Sequence, residues 1–175
     1  MLKISTNLKY IKMKNIIILS LLCIVISCNQ KQTNQNFENN VELAKNWFTT
    51  FTSEDLEGCA EMMSEDIEWR SCFYGAPIMD KEATIEYLKG WQGAMENIKY
   101  TPENYLPGVD PETGQLNGSV RTYGTWTGTN TESGKSFEVY MYHYFTFNDE
   151  GKIINSGDFG DATGIIMAVA PDKTE

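Results

Sequence analysis

The stretch from Phe137 to Phe147 alternates without a break. Phe137, Val139, Met141, His143, Phe145 and Phe147 share one face; Glu138, Tyr140, Tyr142, Tyr144 and Thr146 share the other. Such a run reads as a β-strand buried on one side. A half-buried strand needs neighbours to pair with, and the flanking residues supply them. Asn148-Asp149-Glu150-Gly151 is a hairpin turn, and Lys152 to Phe159 returns as the next strand. Ser119 to Thr129 alternates in the same way, with Val120, Thr122, Gly124 and Trp126 against Arg121, Tyr123, Thr125 and Thr127. Thr131 to Lys135 turns the chain between these two strands. Ile98 to Tyr105 is a further strand interrupted by Pro102, and Asp110 to Gly114 is a turn.

Upstream, the apolar period lengthens. Val41, Ala44, Trp47, Phe48 and Phe51 form one stripe at helical spacing, beginning near Glu38. Ser53 reads as the N-cap of a short second helix through Met63, with Leu56, Cys59 and Ala60 on its inner side. Ile67-Glu68-Trp69 is a short strand, followed by a loop with Gly75 and Pro77. Asp80 caps a third helix whose inner stripe is Ile85, Leu88 and Trp91. Helices followed by antiparallel strands make an α+β pattern, with the helical stripes covering one sheet face.

The N-terminal end is unlike the rest. Residues 1–27 carry Lys3, Lys9, Lys12 and Lys14 and no acid, and the basic part is succeeded by an apolar run from Ile16 to Ile26. A basic segment before a short apolar one reads as a signal peptide, too short to serve comfortably as a permanent span. Met13 is an equally good start. The segment closes on Val25-Ile26-Ser27-Cys28, which resembles a bacterial lipobox. That resemblance implies cleavage after Ser27, acylation of Cys28, and residence in the bacterial cell envelope on the periplasmic or outer-membrane side. Residues 28–37 are amide-rich and read as a tether, 38–166 as the domain, and 167–175 as a C-terminal tail.

Removal of residues 1–27 leaves 10 basic residues against 24 acidic ones, so the formal charge moves from −10 to about −14. Such a surface repels phosphate backbones, which argues against nucleic-acid binding, and it leaves membrane contact to the lipid on Cys28 alone. Of the four cysteines, Cys23 leaves with the signal and Cys28 takes the lipid. Cys59 and Cys72 read equally as a disulfide or as two buried thiols.

The order of elements, the Asp66-Ile67-Glu68-Trp69 strand and the stretch from His143 to Asp161 are together similar to the nuclear transport factor 2-like superfamily, and within it to the SnoaL-like branch. The resemblance covers about residues 38–166. It implies a cone: about three N-terminal helices packed on a strongly curved antiparallel sheet, with a pocket at the open end for a small apolar molecule. It also implies a homodimer through the outer sheet face that carries Tyr140, Tyr142 and Tyr144. Ketosteroid isomerases, scytalone dehydratases, polyketide cyclases and non-catalytic binding modules share this fold, so the fold alone does not choose a reaction.

By the same resemblance, Asp161 occupies the place of a terminal acid that acts as acid or base without metal or cofactor. Asp158 lies three residues earlier, and Gly157 and Gly160 allow a bend that would bring both carboxylates to the pocket. His143, the single histidine, points inward; it is either a satisfied core residue or a proton-transfer group. Trp69, Tyr74, Tyr123 and Trp126 are the aromatic residues that would reach a ligand. One histidine excludes a zinc site of several histidines, and the two remaining thiols lack a clustered ligand spacing. No nucleophile elbow, phosphate loop or dinucleotide fingerprint is present. Two functions remain: cofactor-free acid/base chemistry of the isomerase, cyclase or dehydratase type, or a non-catalytic ligand-binding or dimeric interaction module.

Overall fold

The apolar stripe of the first helix sets the core. In the computed structural model, which describes residues 35–172, helix α1 spans Gln35–Thr52 and buries Ala44, Trp47, Phe48 and Phe51. It begins three residues inside the segment read as a tether; the signal peptide and Cys28 lie outside the described residues. Helix α2, Leu56–Met62, is capped by Asp55 rather than by Ser53. The carboxylate of Asp55 accepts the Gly58 N–H at 2.8 Å, whereas the Ser53 hydroxyl turns back to the Thr50 carbonyl at 2.8 Å. Ser53 therefore belongs to the end of α1, and Glu54, at φ 64°, makes the turn.

Strand β1, Met63–Arg70, leads to helix α3, Lys81–Ala94. Asp80 caps α3 as expected, accepting the Ala83 N–H at 2.9 Å. Strands β2, Met95–Val109, β3, Leu116–Asn130, β4, Ser136–Phe147, and β5, Ile153–Phe159, form the meander. The sheet order is β1-β5-β4-β3-β2. Pro102 and Pro107 both fall in β2, an edge strand, where a missing backbone donor costs least.

Three features of the expected cone need correction. The sheet is open and not strongly curved, with β1 and β2 left as edges. It is mixed rather than antiparallel, because β1 runs parallel to β5 through Glu68↔Asn155, Trp69↔Ser156 and Arg70↔Gly157. Four helices accompany it among the described residues, the fourth being α4, Ala162–Val169, in the segment read as the end of the domain and a tail. A short helix with buried Ala162, Ile165 and Val169 is too brief for helical periodicity to stand out against the neighbouring strand. Parallel pairing between distant segments leaves no local signal at all.

The inner face of the sheet and the helical stripes meet in one aromatic core. Trp47 lies 5.3 Å from Trp69 and 6.3 Å from Phe145, ring centre to ring centre. Phe48 stacks on Tyr100 at 3.9 Å and meets Phe145 edge-on at 5.6 Å. Among the described residues no helix is long and apolar enough to cross a membrane. Cys59 is buried, Cys72 is partly buried, and both thiols are free. Phe145, only 1% exposed and touching Trp47 and Phe48 of α1, is the keystone of this core. Phe145→Ala is expected to cost about 3–5 kcal/mol, read as a lowered midpoint in urea denaturation at unchanged slope.

Candidate functional site

Burying a carboxylate is costly unless donors satisfy it. Asp158, on β5, is 6% exposed and has three such neighbours. Its Oδ1 accepts the indole N–H of Trp69 at 3.0 Å. Its Oδ2 accepts the Tyr87 hydroxyl at 2.7 Å and lies 3.6 Å from the Cys72 thiol. Trp69 comes from β1, Cys72 from the loop after it, and Tyr87 from α3. No cation is among these partners. Burial pushes the Asp158 carboxyl up to about 6, against the pull of the three hydrogen bonds. The same burial, with the nearby carboxylate, pushes the Cys72 thiol up to about 12 and the Tyr87 phenol above its ordinary range, so both stay protonated donors.

His143 stands directly across from Asp158 in the β4–β5 register. Directly opposed residues of an antiparallel pair project to the same face, with Cβ atoms about 4.5–5.5 Å apart. His143 is 6% exposed, and burial pushes its imidazole down to about 3, so the ring is neutral. Its Nε2 accepts the indole N–H of Trp126 at 2.7 Å. Both residues border a cavity of about 70 Å³. Trp47, Phe48 and Phe51 wall it from α1, Trp69 from β1, and Tyr87, Leu88 and Trp91 from α3. Met95 and Ile98, Phe137 and Met141, and Ile165 of α4 complete it. The volume is well below the roughly 300–1,000 Å³ of pockets that hold drug-sized ligands. Without movement of the aromatic wall, the occupant is a molecule of few atoms.

Of the residues singled out from sequence, His143, Asp158, Trp69 and Trp126 come together at this cavity. Asp161 does not. It is exposed and caps α4, accepting the Gly164 N–H at 2.7 Å, because the free donors at the start of a helix attract the first carboxylate available. Tyr74 is fully exposed. Tyr123 lies on the opposite sheet face, 6.2 Å from the Tyr140 ring and 5.0 Å from that of Tyr142. Sequence reading missed Tyr87 and Cys72. Tyr87 was legible in principle, since Thr84 and Tyr87 only widen the inferred stripe of Ile85, Leu88 and Trp91, all three of which pack in the core. Cys72 sits in an irregular loop with no period to place it.

Residues 44–156 match the SnoaL-like domain family. The chain belongs to that family. Its fold is shared by an NTF2-like protein of unknown function from Burkholderia pseudomallei at 17% identity and a TM-score of 0.61, covering 75% of this chain and 98% of that one. It is shared equally by a hypothetical protein with a ketosteroid isomerase-like fold from Catenulispora acidiphila, solved with trimethylamine, at 15% identity and 0.61, covering 77% and 98%. The epoxide hydrolase/cyclase-like enzyme SalBIII of salinomycin pyran-ring formation aligns at 20% identity and 0.59, covering 72% and 93%. At these identities the likeness is one of fold. No match was found among curated proteins.

The two buried groups oppose each other in their pH linkage. The folded-state value of Asp158 lies above its ordinary 3.8, so between 3.8 and about 6 the folded protein keeps a proton that the unfolded chain has released. That contribution is present at low pH and is lost as pH rises through about 6. His143 lies below its ordinary 6.5, so between about 3 and 6.5 the unfolded chain holds the extra proton. Its contribution is present above 6.5 and is lost as pH falls toward 3. The wild type therefore hides both slopes. Between pH 7.5 and 4.5, Asp158→Asn is expected to lose stability relative to wild type, and His143→Gln to gain it, each by on the order of 2 kcal/mol in urea denaturation. Parallel pH profiles for all three proteins would contradict both assignments.

Proposed function

We propose that this SnoaL-like domain binds a small, largely apolar carbonyl compound and moves a proton next to the carbonyl without a cofactor. Asp158 is the base and His143 the neutral group that hydrogen-bonds to the oxygen. What carries this reading is the pairing of two cross-strand ionisable groups on one buried, aromatic-walled cavity, with no counter-ion beside either. A carboxylate lifted to about 6 is mostly ionised at neutral pH yet more basic than an ordinary one, as a general base requires. In the proposed step Asp158 takes the α-proton and the C–H electron pair becomes the C=C bond of the enolate. The enolate oxygen takes the His143 hydrogen bond, and the proton returns from Asp158. The relation of the fold to isomerase-like and cyclase-like proteins supports this class of chemistry.

Deuterium exchange at the α-carbons of acetone in D2O, in which Asp158 trades the abstracted proton for a solvent deuteron before returning it, is monitored by proton NMR and tests the step. Wild-type protein is expected to accelerate exchange, and Asp158→Asn to remove about 10²–10⁴-fold of that acceleration while remaining folded. Equal rates for the two proteins would leave Asp158 as a structural carboxylate and favour the non-catalytic ligand-binding alternative.

The reading extends to location and assembly. Lipid on Cys28 would tether the domain at the envelope through residues 29–34, and a second copy would cover the outer sheet face. That face carries an aromatic ladder: Tyr142 lies 6.3 Å from Tyr144, both approach Phe159, and Phe159 and Tyr140 are exposed. In the host, the full chain is expected to fractionate with membranes and the Cys28→Ser variant to be released. Purified Cys28→Ser is expected to sediment as a dimer, and Tyr142→Arg in that background as a monomer. Membrane fractionation that Cys28→Ser leaves unchanged, or a monomeric parent, would remove the tether or the dimer respectively.

A further inference from the structure

A neutral imidazole carries its proton on one of two nitrogens, and the partner of one nitrogen decides the role of the other. The indole N–H of Trp126 can only donate. It points at Nε2 of His143 from 2.7 Å, so Nε2 must be the unprotonated acceptor and Nδ1 must bear the hydrogen. No hydrogen-bond partner of Nδ1 is found among the described residues. The ring itself is held by aromatic edges: Phe48 at 5.4 Å and Tyr100 at 5.5 Å, both T-shaped. Trp126 is fixed in turn by Phe51, perpendicular at 5.7 Å, and by Tyr100 at 4.8 Å.

Gly124 makes this arrangement possible. It lies on β3 between Thr122, which pairs with His143, and Trp126. A Cβ there would come within 2.6 Å of the Tyr100 hydroxyl and of the Thr101 carbonyl. Without it, Tyr100 lies close against the strand, its hydroxyl bonded to Thr122 at 3.0 Å, and its ring supports both the histidine and the tryptophan.

We propose that Trp126 is a positioning residue that locks His143 as the Nδ1–H tautomer, so that the cavity presents one neutral donor beside one carboxylate and selects an uncharged ligand bearing an acceptor oxygen. The inference rests on the proposed reading of the pocket. A carboxylate ligand would meet Asp158 with like charge. An amine would be drawn to Asp158 but would leave the Nδ1 hydrogen without an acceptor. A ketone oxygen satisfies Nδ1–H and adds no charge.

The chain contains a single histidine, which makes the test direct. Histidine labelled with nitrogen-15 is incorporated into the full chain, purified through a tag without histidine, and observed by long-range proton–nitrogen correlation. The cross-peak pattern tells which ring nitrogen is protonated. Wild type is expected to show Nδ1–H alone, and Trp126→Phe a mixture or the opposite tautomer. Acetone is expected to shift the protonated nitrogen of wild type, whereas 2-aminopropane and acetate are not; Trp126→Phe loses the ketone response.

A wild-type ring protonated on Nε2 overturns the lock, whatever the variant does and even if the variant fails to fold. Equal or absent responses to the three probes overturn the selection. Neither result depends on turnover. Loss of α-proton exchange with the lock intact would therefore count against the proton-transfer reading, while a broken lock with exchange intact would count against Trp126.

Discussion

One carboxylate with no counter-ion among its partners, Asp158, organises the elements around the buried cavity. A buried charge that lacks a cation must be met by donors, and each donor comes from a different element. Trp69 brings β1, Cys72 brings the loop after it, and Tyr87 brings α3. The parallel pairing of β1 with β5 sets Trp69 beside Ser156, close enough for its indole to reach two residues along to Asp158. Removing one donor would cost its element the tie to Asp158, although β1 would still be held to β5 by their backbone ladder. The aromatic core supplies the bulk of the stabilisation, whereas the carboxylate selects how its pieces are arranged.

That division explains what could be read from the chain. Period-two alternation placed the inner face of β4, and with it His143; in β3 it separated two faces without telling which is inner, so Tyr123 and Trp126 stood together as ligand candidates although they lie on opposite faces. The helical stripe of α1 placed Trp47, Phe48 and Phe51, and Asp80 marked the start of α3. These signals are local, since each depends on which way consecutive side chains point. The partners of Asp158 are set by distant contacts, with Trp69 separated from it by 89 positions and Tyr87 by 71. No periodicity reports such a meeting. Asp161 lies away from the cavity for a related reason. A carboxylate just past a strand reads as the end of the sheet, but here it opens α4, and its oxygen goes to the Gly164 N–H instead of the cavity.

The cavity combines a small volume with a hard wall. Four tryptophans and several other aromatics border about 70 Å³, and rings of this size repack only at the cost of their neighbours. The large side chains of α1 and α3 fill the space around it, with Phe73 stacked 6.0 Å from Trp91 beside them. Size thus limits the ligand before any polar contact is made, and Asp158 and His143 discriminate among what remains.

Polarity then acts through two groups driven in opposite directions by the same burial. Desolvation raises the carboxyl toward neutrality and lowers the imidazole away from charge, so each favours its uncharged form. A surface pair of Asp and His would sit as an ion pair below pH 6.5 and offer a ligand little. Here His143 meets an indole at Nε2 rather than a carboxylate, and Asp158 meets an indole, a phenol and a thiol rather than an imidazole. Each is kept from neutralising the other by donors that cannot change protonation state in this range. The two indoles, Trp69 and Trp126, therefore do more than fill the core: they hold the carboxylate and the imidazole as separate hydrogen-bonding groups across one strand pair, the arrangement on which the proposed proton transfer depends.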